Sequence, residues 1–119
     1  MPSPSEARQF ARDWIADWNS HDIERILPHY ADSVVLTSPA AVRLLHDPSG
    51  TVRGIAGLRG YFERGLRAFP DLRFELIEVL CGVSSVVVLF RNQRGTLTAE
   101  FMEFDDEGKV VRVVANYSD

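Results

Sequence analysis

Three things are scarce in this chain of 119 residues. It has one cysteine, Cys81, which excludes an internal disulfide and any cysteine-based zinc site. A lone thiol in an apolar strand reads as a small core residue. Positive charge is the second shortage. Thirteen basic residues stand against seventeen acidic ones, for a net charge of −4, and no Lys/Arg run is dense enough to track a phosphate backbone, so nucleic acid is not an expected partner. Long hydrophobic runs are the third. Stretches such as VVVLF at 86 to 90 are far too short to cross a bilayer, and MPSPSEARQF has neither the charged start nor the apolar core of a leader. No membrane association is expected, and the expected location is the cytoplasm. Repeats, low-complexity segments and linkers are also missing. An apolar fraction of 45% suits one packed core, so residues 1 to 119 are read as a single domain.

What is present divides into helices and then strands. Ser3-Pro4-Ser5-Glu6 predicts a helix start, with Ser3 as cap, Pro4 at the first helical position and Glu6 closing a capping box. Phe10, Trp14 and Trp18 recur at four-residue spacing beside Ala7, Ala11 and Ile15, which gives one wide apolar stripe ending at Asn19-Ser20. A second, shorter helix is predicted from Asp22, burying Ile23, Ile26, Leu27 and Tyr30, with Pro28 kinking it. SVVLTSP at 33 to 39 predicts a short strand. The turn DPSG at 47 to 50, between AVRLL and TVRG, predicts a hairpin. From Gly54, the residues Ile55, Leu58, Phe62, Leu66 and Phe69 predict a third helix, stopped by Pro70-Asp71. Its glycines Gly57, Gly60 and Gly65 cost helix propensity, which suggests close backbone packing.

The second half reads as four strands: DLRFELIEVL, SVVVLFRNQ, TLTAEFMEF and VVRVVANY. Turns fall around Gly82, Gly95 and Asp106-Glu107-Gly108. No helix separates these strands, so they are expected to be antiparallel, and the fold class is α+β with helices on one face of a sheet. VVVLF and VVRVVA are apolar at both alternate positions, as in strands covered on both faces. Three helices cover one face, so the other is expected to pair with a second copy of the chain in a homodimer.

One acid stands out. Alternation in TLTAEFMEF sends Glu100 to the face of Thr98, Met102 and Phe104, so a carboxyl enters apolar company. Burial raises a carboxyl pKa; protonated, such a group donates to a developing oxyanion, and ionised it acts as a base. The alternative is a structural pair with Arg91, Arg94 or an arginine from a helix. Trp14, Trp18 and Tyr30 are either core or lining for a cyclic ligand, with Phe62 and Met102 beside them. Tyr117, alternating with Val113 and Ala115, points toward the same space. The segment from Ala40 to Arg53 supplies Arg43, His46 and Asp47 as candidate lid residues. His46 is the candidate base, because an imidazole titrates near ~6.5; a solvated turn residue is the other reading. His21 and His29 read as surface or capping groups, and no metal-ligand spacing is present. Neither a metal nor another cofactor is expected.

The stretches WIADWNSHDIERILPHYADSVVLTSP, GLRGYFERGLRAFPDLRFEL and FDDEGKVVRVV resemble the nuclear transport factor 2-like superfamily, most closely its SnoaL-like branch, which is related to ketosteroid isomerase and polyketide cyclases. The resemblance spans nearly the whole chain. It implies a strongly curved antiparallel sheet wrapped by three helices of the N-terminal half into a cone, with a small-molecule pocket at the open end and commonly a dimer through the outer sheet face. Set against ketosteroid isomerase, the resemblance places Ser38 before Pro39 where that enzyme has its aspartate base, Trp14 at its tyrosine donor and Glu100 at its protonated aspartate. The base is missing, so steroid isomerisation by the usual route is not expected. No counterpart of the Asp-Arg-Asp set of the superfamily's epoxide hydrolases is found. The expected function is a small-molecule pocket that promotes an enolisation, cyclisation or dehydration, with Glu100 as acid. The alternative is a module of the same fold that binds a ligand or a protein without turnover.

Overall fold

The computed structural model describes residues 2 to 119. Helix α1 (Pro4–Ser20) begins as its sequence requires: the Glu6 amide donates to Ser3 Oγ at 3.2 Å, and the Ser3 amide donates to Glu6 Oε1 at 3.0 Å. It ends at His21, whose left-handed backbone (φ 61°) returns an N–H to the Trp18 carbonyl. Helix α2 (Ile23–Ile26), capped by Asp22, tightens into a 3-10 turn at Leu27–His29, where Pro28 removes a backbone donor. Strand β1 (Tyr30–Thr37), helix α3 (Pro39–Leu45), strand β2 (Thr51–Arg53) and helix α4 (Ile55–Ala68) follow. Four strands complete the chain: β3 (Glu75–Cys81), β4 (Ser85–Arg91), β5 (Leu97–Phe104) and β6 (Val110–Tyr117).

All six strands form one curved, unclosed sheet in the order β2-β1-β6-β5-β4-β3. The last four strands meander antiparallel as expected, and β1 joins them parallel to β6. Their turns are set by short side chains. Asn92 Oδ1 accepts from the amides of Arg94 and Thr96, and Asp105 Oδ1 accepts from those of Glu107 and Lys109. The core lies between the inner face of the sheet and helices α1 and α4. Trp14, Ile26, Leu58, Phe90, Val86, Val88 and Met102 are nearly inaccessible there. No helix among the described residues is long and apolar enough to cross a membrane.

Several sequence expectations need correction. AVRLL is not a hairpin strand: it lies in α3, because Ser38 caps the Ala40 amide, Pro39 occupies the first turn, and Ala, Arg and Leu favour helix. TVR is a strand, but its partner is β1. Cys81 is exposed rather than core, its thiol donating to the Pro2 carbonyl at 3.3 Å. The helices therefore number four rather than three. The glycines of α4 are mostly not packing devices. A Cβ at Gly57 would meet Val52 at 3.4 Å, but one at Gly60 meets nothing within 4 Å. Gly60→Ala is accordingly expected to stabilise the fold by about 0.5–1 kcal/mol, read as a rise in the urea midpoint at unchanged slope. A fall in the midpoint would show that Gly60 is needed after all.

The outer face of the sheet is apolar in register. Leu80, Val87, Phe101 and Val114 are cross-strand partners in one row over four strands, each partly or largely exposed.

Candidate functional site

The curvature leaves a cavity of about 130 Å³ between the inner sheet face and helices α1, α3 and α4. Its walls come from helices, sheet strands and two connecting segments. Trp18 and Phe62 arrive on α1 and α4 and meet edge-on at 4.7 Å. Leu72 and Phe74 arrive on the segment before β3. That segment is clamped to the end of α1, where Asn19 exchanges two hydrogen bonds with the Phe74 backbone (2.9 and 2.7 Å) and His21 Nε2 donates to the Leu72 carbonyl at 2.7 Å. Sheet positions bring Leu36, Glu100, Ala115 and Tyr117, and the β4–β5 turn brings Asn92, Gln93 and Arg94. Ser38, Ala40, Arg43 and Leu44 close the side formed by α3.

Glu100 is the single carboxylate in this lining. It sits on the inner face between Thr98 and Met102, both almost wholly buried, and makes no ion pair with Arg91, Arg94 or any other cation among the described residues. It is partly buried and lines the cavity. Burial with no compensating partner pushes its pKa from the ordinary 4.5 up to about 8. The same enclosure acts on the phenols. Burial raises Tyr30, Tyr61 and Tyr117, and the nearby Glu100 charge adds to each.

Ser38 is committed elsewhere. Its Oγ accepts the Ala40 amide at 3.1 Å as the cap of α3 and lies 3.3 Å from the Tyr117 hydroxyl. Trp18 Nε1, Gln93 Oε1 and Thr98 Oγ1 are buried without a hydrogen-bond partner among the described residues, and the first two belong to residues of the cavity wall.

Of the sequence candidates, the fold brings Glu100, Ser38, Arg43, Trp18, Phe62 and Tyr117 to one cavity. It leaves four outside. Trp14 is 1% exposed and donates to the Tyr30 hydroxyl at 2.9 Å, so both belong to the core, as does Met102. His46 is exposed at the left-handed end of α3 (φ 52°) and is not in the lining. Sequence reasoning missed Tyr61, Phe74 and Gln93, and offered Arg94 only as an ion-pair partner for Glu100, a pair not made among the described residues. Tyr61 had a readable signal as the neighbour of Phe62 on an amphipathic helix. The others sit in irregular segments, where periodicity says nothing about direction.

The SnoaL-like domain family matches residues 11–117. A SnoaL-like protein of unknown function from Burkholderia thailandensis is 40% identical, with 98% of each chain covered and a TM-score of 0.94. The epoxide hydrolase/cyclase-like enzyme SalBIII, which has a role in pyran ring formation in the polyether salinomycin, is 14% identical, with 99% of this chain and 95% of that one covered and a TM-score of 0.77. An NTF2-like protein of unknown function from Cytophaga hutchinsonii is 9% identical, with coverage of 99% and 95% and a TM-score of 0.71. At those last two identities the likeness shows the fold alone. A comparison with curated proteins gives no match.

Proposed function

We propose that this chain, which belongs to the SnoaL-like family, is a pocket enzyme of the isomerase, cyclase or dehydratase type, acting on an apolar metabolite that carries an oxygen. Glu100 carries the reading. A carboxyl with no ion pair at the wall of an apolar cavity, with its pKa pushed up to about 8, is mostly protonated at neutral pH. One oxygen of its carboxyl gives a proton to the substrate oxygen while the other takes the proton of the adjacent carbon, the C–H electron pair moving into the new C=C bond and the carbonyl pair onto the oxygen. Glu100 is the group in the cavity best able to take that proton. Ser38 is already an acceptor in the α3 cap, and the Tyr61 and Tyr117 phenols are held in their neutral form. One residue thus returns what it gives, and no external base is required. The cyclase-like neighbour supports this class of chemistry on this fold.

The test is solvent-deuterium exchange into a small cyclic ketone such as 2-tetralone, followed by NMR. Exchange is expected to fall at least about 100-fold in Glu100→Gln, and in the wild type to decline as the pH rises through about 8, where the donating form is lost. An unchanged rate in the Gln variant would sink the role of Glu100. A second reading, binding without turnover, is favoured by one observation: the only histidine in the segment from Ala40 to Arg53, His46, lies outside the cavity lining. Ligand binding by calorimetry with no exchange above background would select it.

A further inference from the structure

The cavity has the opposite charge from the protein. The chain carries −4 overall, yet its lining holds two arginines, Arg43 from the last turn of α3 and Arg94 from the β4–β5 turn, against one carboxyl, Glu100. Both arginines are exposed, and neither makes an ion pair or a side-chain hydrogen bond among the described residues. Arg25, Arg59, Arg64 and Arg91 are engaged with Asp17, Glu24, the Leu44 carbonyl and the Gly95 carbonyl; of the arginines without such a partner, Arg43 and Arg94 are the two that line the cavity. Arg43 and Arg94 act on a common neighbour, since the positive charge of each favours ionisation of the Tyr117 phenol. They therefore flank one side of the cavity from two separate elements. The apolar part of the wall includes Phe62, Phe69, Leu72 and Phe74. Guanidinium groups without partners beside an apolar, ring-sized space select a molecule with a ring at one end and an anion at the other.

We infer that the natural ligand is a small cyclic acid whose ring lies against Phe62 and Phe74 and whose carboxylate is held between Arg43 and Arg94. This rests on the pocket reading above and adds the class of substrate. It also gives the mouth a steering field, because two unpaired positive charges draw an anion into an otherwise acidic protein.

The experiment is calorimetric titration of the wild-type protein with 4-hydroxyphenylacetate, 3-(4-hydroxyphenyl)propionate and the methyl ester of each. The free acids are expected to bind about ten-fold more tightly than their esters at low salt. Raising the ionic strength to about 0.3 M should shrink that gap, because exposed charges are screened within about a Debye length. In the double variant Arg43→Gln/Arg94→Gln, acid and ester should bind alike, with ester affinity unchanged. Both positions are exposed, and an unchanged thermal midpoint confirms that the variant folds. Equal binding of acid and ester to the wild type, or an acid preference that survives in the double variant, overturns this inference. If binding of both probes then still weakens in Glu100→Gln, the pocket reading stands without it. No binding of acid or ester overturns both.

Discussion

Unfolding free energy of the wild type is expected to fall by up to about 5 kcal/mol between pH 4.5 and pH 9, and that of Glu100→Gln is expected not to fall with it. The number comes from the gap between the ordinary carboxyl value of 4.5 and the value of about 8 that burial imposes on Glu100, at about 1.4 kcal/mol per pH unit. The sign follows from which state holds the proton. Below 4.5 the carboxyl is protonated in both the folded and the unfolded chain, and its contribution is fully present. Between 4.5 and 8 the unfolded chain ionises while the folded one keeps its proton, so each increment of pH favours unfolding. Above 8 both are ionised and the loss is complete. Glu6 and Glu24 are held below their ordinary range by the Ser3 cap and by Arg59 and change stability in the opposite sense, but they are common to both proteins and cancel in the comparison. Urea unfolding of the two proteins at pH 5 and pH 9 measures the effect directly. Parallel pH dependence in wild type and Gln variant would mean that water solvates the Glu100 carboxylate freely, and the proposed acid would lose its basis.

Trp14→Ala is expected to cost about 3–5 kcal/mol, a large share of the 5–15 kcal/mol typical of a whole domain. Trp14 stacks on Phe74 at 5.8 Å, meets Phe90 at 5.5 Å and Trp18 at 6.2 Å, and gives its indole proton to Tyr30. Removal opens a cavity among rings that cannot collapse into it, and it leaves the Tyr30 hydroxyl buried without its donor. Tyr30→Phe removes only the acceptor and should cost about 1–3 kcal/mol, the penalty of a buried unpaired N–H. Trp14→Phe combined with Tyr30→Phe should then cost less than the two single changes together, because neither partner is stranded. Equilibrium unfolding of the four proteins closes this cycle. Trp14→Phe at full stability with impaired ligand binding would return Trp14 to the role its sequence position first suggested.

The difference between Trp14 and Trp18 shows where sequence reasoning reaches its end. Both lie on the same stripe of α1, and periodicity fixes that stripe to within a residue. One turn of helix separates a ring sealed in the core from a ring at the cavity wall with its N–H unpartnered. Which of them meets the cavity depends on how far α1 slides along the sheet, and that is set by Phe74 and Phe90, some 60 and 76 residues later in the chain. The same holds for AVRLL, where a turn signal after it suggested a hairpin and the cap at Ser38 before it decided for a helix.

What the sequence determined by itself was local and periodic. It set the capping box of α1, the apolar stripes of α1 and α4, the four meandering strands, and the alternation that turns Glu100 to the inner face. These follow from backbone geometry and nearest-neighbour hydrogen bonds, which a short window contains. Tertiary structure decided the parallel joint of β1 to β6, the placing of Arg43 and Arg94 in the lining of one cavity from elements about fifty residues apart, the exclusion of His46 from it, and the raised pKa of Glu100. Those are properties of desolvation and of distance between remote segments. A carboxyl's pKa depends on which atoms replace its water, and those atoms arrive only when the sheet curves and the helices close over it.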